Sequence, residues 1–375
     1  MNERQTTVNI ISSRVGVVGL AASLALFLSA CGSDNPTAAT DNGTTETSQA
    51  ESLTGTLAGA GASSQKAAIQ AWKAGFVAKN PSAQVEYDPV GSGSGVKKFL
   101  AKEVSFAGSD EVLKDEDREA AKARCEADVM HLPVYISPIA VVFNLDGVDT
   151  LNFSAETVAK IFAGQITNWN DPAIAAENEG VSLPDLAITP VHRADGSGTT
   201  YNFTEWLHAA APSVWTHEAN KKWPLAGTNG EKTQGVVSLV QSGQGSIGYV
   251  DDSAAAGMGI AKIKGAGGDY VAVSGEAAAK TLDESELSGA SGMDLAFTIN
   301  RTPSDPAAYP IILVSYDVVC SAYSDANEGN LVKAFVGYEV SEEGQAQAAA
   351  AAKSAPLSQA LRTKINASLD SIKVG

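Results

Sequence analysis

Apolar and polar positions alternate between two periods along this chain, and the switch between them marks three junctions of one kind. Thr54 to Gly61 reads as a strand that runs into Ala60-Gly61-Ala62-Ser63-Ser64. Ile69, Trp72 and Phe76 then recur at helical spacing, with Asn80-Pro81 as the stop. A second strand, Gln84 to Val90, leads into Gly91-Ser92-Gly93-Ser94-Gly95 and a helical face of Val96, Phe99 and Leu100. A third, Ala187 to Val191, leads into Arg193-Ala194-Asp195-Gly196-Ser197-Gly198-Thr199, followed by Phe203, Trp206 and Leu207 on a helix that ends before Pro212. Strands that alternate with helices predict an α/β fold with largely parallel sheets, and such folds bind ligands in loops at strand carboxyl ends. The Ala-rich tail from Gly344 to Leu369, with Leu357, Leu361 and Ile365 four apart, predicts a helix packed on a domain.

The amino terminus follows a different pattern. Arg4 and Arg14 precede an uncharged run from Val15 to Ala30 that ends in Leu28-Ser29-Ala30-Cys31. The run is 16 residues long, short of the ~20 that span a bilayer, and small residues precede the cysteine. It resembles the lipobox of bacterial lipoproteins, which implies a signal peptide over residues 1–30 and a diacylglycerol-bearing Cys31 as first residue of the mature chain. An uncleaved signal anchor is the alternative. Gly32 to Ser52 contains no Lys, Arg or aromatic residue, so residues 31–53 are expected to form a flexible tether.

Composition narrows the picture. The 375 residues favour two domains, and 26 basic against 43 acidic side chains give a net charge of −17. Such a surface repels nucleic acid and anionic headgroups, since nucleic-acid affinity starts from Lys and Arg neutralising phosphates. Cys125 and Cys320 remain once Cys31 is assigned to lipid. Export to an oxidising compartment makes them a candidate disulfide, with two separately buried thiols as the alternative.

A helix start leaves backbone N–H groups unpaired and carries partial positive charge, so small residues at the three junctions let an anion approach the amides. Ser63, Ser64, Ser92, Ser197 and Thr199 add hydroxyl donors. Each junction taken alone reads first as an ordinary cap and turn. Arg193 shifts the balance, because a guanidinium suits multidentate oxyanion binding.

The Arg193 to Thr199 run, with Gly59-Ala60-Gly61-Ala62-Ser63, Val90 to Gly95 and Phe106-Ala107-Gly108-Ser109-Asp110, resembles the phosphate-binding proteins of bacterial high-affinity phosphate ABC transporters. The likeness extends through Ile161 to Trp169, Lys222-Trp223-Pro224, Gly245 to Val250 and Tyr309-Pro310-Ile311, and covers residues 54 to 375 in order. It implies a two-domain, type II-like periplasmic-binding-protein fold with the ligand cleft between the lobes. Lobe I would take residues 54–136 and 312–375, and lobe II residues 137–311, with crossings near Pro133 to Ile139 and Tyr309 to Val319. The implied phosphate contacts are Ser63, Ser64 through its amide, Ser92, Asp110, Arg193, Ser197, Gly198 and Thr199, with Asp195 orienting the arginine. Many members have Thr and an aromatic residue where this chain has Ser63-Ser64.

Asp110 has a chemical logic of its own. Phosphate near neutral pH keeps at least one proton and sulfate keeps none, so an ionised carboxylate can accept from phosphate and meets sulfate lone pair to lone pair. The mismatch is worth ~1–3 kcal/mol or more. Without the resemblance, Asp110 reads as the cap of a helix containing Val112 and Leu113.

The expected protein is a monomeric extracytoplasmic solute-binding protein, held by lipid on Cys31 at the outer face of the cytoplasmic membrane, that delivers inorganic phosphate to the transporter permease. No catalytic residue, metal or cofactor is expected, and no nucleic-acid partner. A binding protein for sulfate or another tetrahedral oxyanion is the nearest alternative, and a secreted phosphatase a more distant one. His131, His192, His208 and His217 stand in no metal-ligand spacing, and neither a G-x-S-x-G elbow nor a phosphate-binding P-loop stands out. Trp72, Trp169, Trp206, Trp215 and Trp223 are expected to pack in cores, and Asp115-Glu116-Asp117 to open a helix.

Overall fold

The computed structural model describes residues 53–375. The expected signal peptide, Cys31 and the expected tether up to residue 52 lie outside the described residues. The chain begins with β1 (Gly55–Gly61), α1 (Lys66–Lys79), β2 (Ala83–Asp88), α2 (Ser92–Leu100), β3 (Phe106–Ser109), α3 (Asp115–Cys125) and the long β4 (Val129–Phe143). There follow β5 (Thr150–Phe153), α4 (Ala155–Phe162), α5 (Pro172–Glu177), β6 (Thr189–Arg193), α6 (Gly198–Ala210), β7 (Thr228–Gly230), α7 (Lys232–Ser242), β8 (Ser246–Asp251), β9 (Gly259–Lys264) and β10 (Tyr270–Val271). Next come α8 (Gly275–Asp283), β11 (Glu286–Leu287), β12 (Phe297–Thr298), β13 (Ile312–Cys320), β14 (Ala322–Tyr323), α9 (Ala326–Glu339), α10 (Glu342–Ala352), α11 (Gln359–Asp370) and β15 (Lys373–Val374).

The main sheet runs in the order β2-β1-β3-β13-β4-β8-β6-β7, with β9 also on β4 and β5 and β10 flanking β9. All three predicted junctions form, at β1 to α1, β2 to α2 and β6 to α6. Parallel pairing holds for β1 with β2 and β3 and for β6 with β7 and β8. The expectation of largely parallel sheets fails at the centre. There β13 runs antiparallel to β3 and β4, and β4 runs antiparallel to β8 and β9. The reason is connectivity: β4 carries the chain from one half of the sheet into the other, pairing first with β13 and then with β8 and β9, and β13 brings the chain back alongside it. Val129 to Leu132 pair with Val319-side residues of β13, while Ile139 to Phe143 pair with β8.

Both strands are buried along their whole length, which accounts for their nearly unbroken apolar runs. Ile69, Trp72 and Phe76 form the inner face of α1, with Trp72 edge-on to Tyr135 and Phe76 edge-on to Phe335. In the other half Phe203 stacks on Tyr249, and Trp223 on His192. His131 is fully buried: Nδ1 faces Asp294 at 2.8 Å and Nε2 accepts the Leu113 amide at 3.0 Å, a packing role. Cys125 and Cys320 are joined, closing a loop across 195 residues; links of this kind contribute about 2–4 kcal/mol.

Two local expectations need correction. The tail is two helices, α10 and α11, because the chain turns at Lys353 (φ 55°) and passes Pro356; Leu357 is buried in the connection rather than on a helix. Asp110 caps no helix either: residues 111–114 are irregular and α3 starts only at Asp115, with Asp115, Glu116 and Asp117 in its first turn.

Candidate functional site

Parallel pairing in the order β2-β1-β3 puts three strand ends side by side. Ser63 and Ser64 follow β1, Ser92 opens α2 after β2, and Asp110 follows β3. Asp110 is 3% exposed, and hydroxyls surround it. Ser64 Oγ lies 2.8 Å from both its oxygens and donates to them, and Ser315 Oγ, on β13, donates to Oδ1 at 2.5 Å. Gln65 Nε2 in turn donates to Ser315 Oγ at 2.6 Å, so that hydroxyl's own hydrogen is directed at the carboxylate. The Asp110 amide donates to Ser92 Oγ at 3.3 Å. Burial pushes the Asp110 carboxyl above its usual range, and the bonds from Ser315 and Ser64 and the charge of Arg193 pull it back.

The third junction supplies the cation. Arg193, at the end of β6, donates Nε to Asp195 Oδ1 at 2.8 Å and a terminal N–H to Oδ2 at 2.6 Å. That fork uses two of the five guanidinium N–H groups and leaves three for an anion. Burial pushes the Asp195 carboxyl up, but Arg193 and the Lys232 amide, 3.0 Å from Oδ1, outweigh it and hold it below the usual carboxylate range. Ser197 caps α6 by accepting the Thr200 amide at 3.1 Å, which keeps its hydroxyl hydrogen free to donate. Its neighbours Gly198 and Thr199 begin the helix and present unpaired amides.

These two groups of residues meet. Gly93 N donates to Gly196 O at 3.0 Å, Thr199 Oγ1 reaches Asp110 Oδ2 at 3.5 Å, and Ser63 Oγ pairs with Thr233 Oγ1 at 2.9 Å. Lys221 and Glu111 form an ion pair at 3.2 Å. The fit requires glycine at two points. A Cβ at Gly198 would stand 2.5 Å from Asp110 Cβ and 2.7 Å from Ser92 Oγ, and one at Gly91 (φ +91°) would stand 2.4 Å from Asp195 Oδ2.

Ser64, Ser92, Asp110, Gly198 and Thr199 thus form one contact set. Arg193 and Asp195 lie against it at Gly91, Ser197 serves the start of α6, and Ser63 stands at the edge on Thr233. Gln65, Ser315, Thr233, Asn202 and Arg301 are not legible as site residues. Ser315, Thr233 and Arg301 reach the site from segments distant in sequence, with Thr233 just inside a helix start after Gly230, whereas Gln65 follows Ser64 directly and Asn202 lies one turn beyond Gly198 without any local motif of its own. Among the described residues there is no group of three His, Cys, Asp or Glu side chains able to hold a metal ion, and no helix long and apolar enough to cross a membrane.

This arrangement can surround a compact oxyanion with amides, hydroxyls and one guanidinium while offering a single buried acceptor. Comparison with known proteins points the same way. The family model of the PBP superfamily domain matches residues 43–343. Phosphate-binding protein PstS2 of Mycobacterium bovis (strain BCG / Pasteur 1173P2) is 35% identical over 95% of this chain and 97% of its own. Phosphate-binding protein PstS 3 of Mycobacterium leprae is 38% identical over 85% of this chain and 88% of its own. A solved phosphate-binding protein from Stenotrophomonas maltophilia shares the fold, with a TM-score of 0.64 at 22% identity over 84% of this chain and 93% of that one. The chain therefore belongs to the PBP superfamily, and within it to the family of the PstS phosphate-binding proteins.

Proposed function

We propose that this protein captures inorganic phosphate outside the cytoplasm and passes it, chemically unaltered, to the permease of a phosphate ABC transporter. The observation that carries the reading is the meeting of Arg193 and the start of α6 with the hydroxyl-ringed Asp110 carboxylate. Ser63, Ser64, Ser92, Ser197 and Thr199 supply hydroxyl or amide donors, Gly198 an amide, Arg193 three N–H groups, and Asp110 an acceptor for the phosphate O–H. Asp195 holds the guanidinium in register.

Residues 54–136 with 312–375 act as one lobe and residues 137–311 as the other, closing on the ligand between them. Closure is favoured because contacts from both sides form together only in the closed form. A monomer anchored through lipid on Cys31 at the outer face of the membrane suits this task, since the tether allows the loaded form to dock on the permease. Hydrogen bonds from oriented dipoles, rather than a positive surface, supply the affinity, which accommodates a net charge of −17.

Calorimetric titration with phosphate and with sulfate tests the reading. Phosphate should bind and sulfate should be at least ten- to a hundredfold weaker, the discrimination expected of about 1–3 kcal/mol. Equal binding of both anions, or turnover of a chromogenic phosphate ester, would replace it with one of the alternatives.

A further inference from the structure

Two buried side chains outside the ligand set connect the two faces of the site. Asn202 lies one turn into α6 and is 2% exposed. Its Nδ2 donates to the Asp110 main-chain carbonyl at 2.6 Å and to the Gly198 carbonyl at 2.9 Å. Its Oδ1 accepts an N–H from Arg301, which is 5% exposed. Arg301 is itself fixed: Nε donates to Glu205 Oε2 at 2.7 Å, and another N–H donates to the Ile312 carbonyl, at the start of β13, at 2.7 Å.

The carboxamide could be turned either way by its own chemistry, but its neighbours leave one choice. A guanidinium only donates, so the amide oxygen must face Arg301. The NH₂ group must then face two carbonyls, which only accept. One of these belongs to the helix that carries Asn202. The other belongs to Asp110, on the far side of the site.

We propose that Asn202, oriented by Arg301, is a closure latch. It is a positioning residue that touches no ligand atom and holds the Asp110 loop against the α6 turn after phosphate has entered, so that it sets how long the ligand stays. The proposal rests on the reading that the lobes close around phosphate. In the open form the Asp110 carbonyl faces water and the Asn202 amide loses this partner. The latch bond therefore forms on closing and breaks on opening, and its loss speeds release rather than capture. Because Asn202 bonds the Asp110 main chain and leaves the carboxylate to its hydroxyl partners, it should not influence the choice between phosphate and sulfate.

The test is stopped-flow measurement of phosphate association and dissociation with the full mature chain, for Asn202→Asp, Asn202→Leu and Arg301→Lys. Asn202→Asp is near-isosteric and turns a donor on the Asp110 carbonyl into an acceptor. It should raise the dissociation rate about tenfold or more, with association within about threefold and ligand-free melting lowered only by the lost bond to the Gly198 carbonyl. Arg301→Lys keeps the charge but loses the fork and should raise the rate by about two- to fivefold. Combining it with Asn202→Leu should add nothing to Asn202→Leu alone, because both remove one bond. Phosphate-over-sulfate preference should be unchanged throughout. Unchanged dissociation in both Asn202 variants, with wild type binding phosphate normally, would overturn the latch alone. Slower association with lowered ligand-free melting and unaltered dissociation would assign Asn202 to folding instead. A wild-type chain that does not bind phosphate would overturn both the latch and the binding reading.

Discussion

Two buried acid sites lie close together around β3 and β13; burial raises both carboxyls, but what surrounds them differs. Asp317 on β13 is paired in register with Gly108 of β3, and Asp110 follows Gly108 by two residues. Around Asp110, Ser64, Ser315 and Thr199 offer hydroxyls and Arg193 contributes its charge. Around Asp317 the polar partner among the described residues is a second acid, Glu339 on α9; both are fully buried, and no other donor among the described residues reaches their oxygens. Burial drives the Asp317 carboxyl up to about 7 and pushes Glu339 well above its ordinary range, so the pair keeps a proton where a free carboxyl would not. Burial alone therefore does not make an anion acceptor. Donors aimed at the carboxylate do, and the site has them where the core pair does not.

The contrast can be broken most severely by making Asp110 resemble Asp317. Replacing Ser64 and Ser315 together by Ala removes two hydrogen bonds to a buried charge, each worth about 1.5–3 kcal/mol. Calorimetry at pH 7 should show phosphate affinity lowered about a hundredfold or more. The carboxyl then ionises at higher pH, so part of the loss should be regained by pH 8.5, where phosphate still holds one proton. A loss that does not depend on pH would break the comparison.

A smaller effect is expected from the other side. Burial holds the Asp317–Glu339 pair well above the ordinary carboxyl range of about 3.9 to 4.3 in the folded state. Below roughly pH 4 both states hold the proton, and the stability associated with it is lost as pH rises to about 7. Asp317→Asn should therefore stabilise the protein at pH 8, by about 1–3 kcal/mol after relaxation, and do little at pH 4.5. Thermal unfolding at both values checks this, and equal shifts at the two would sink it. The smallest change should come from salt. Both carboxyl sites are closed to mobile ions, so raising sodium chloride from about 0.05 to about 0.5 M should weaken phosphate binding less than about threefold, whereas a steep logarithmic slope would mean that surface charge carries the affinity.

How much of this was legible in the sequence follows from distance along the chain. Ser63, Ser64, Ser92 and the Arg193 to Thr199 run announce themselves because glycine, serine and the strand-to-helix switch are local signals. Ser315 reaches Asp110 from 205 residues away, and Arg301 reaches Asn202 from 99. No spacing rule connects such pairs; the sheet order does. Strand direction was hidden in the same way, since the apolar runs of β4 and β13 reveal burial on both faces but not that the two strands run in opposite senses. In the tail, Leu357 kept the apolar spacing intact across Pro356, and burial in a turn passed for burial on a helix.

β4 is bonded to β13 over nine residue pairs and, beyond them, to β8 and β9, so it belongs to both halves of the sheet. Neither half can lose its central strands without dismantling the other, so heat should melt the molecule in a single cooperative event despite its bilobal plan. The opening and shutting proposed for the lobes would thus swing on the part of the architecture least able to fray.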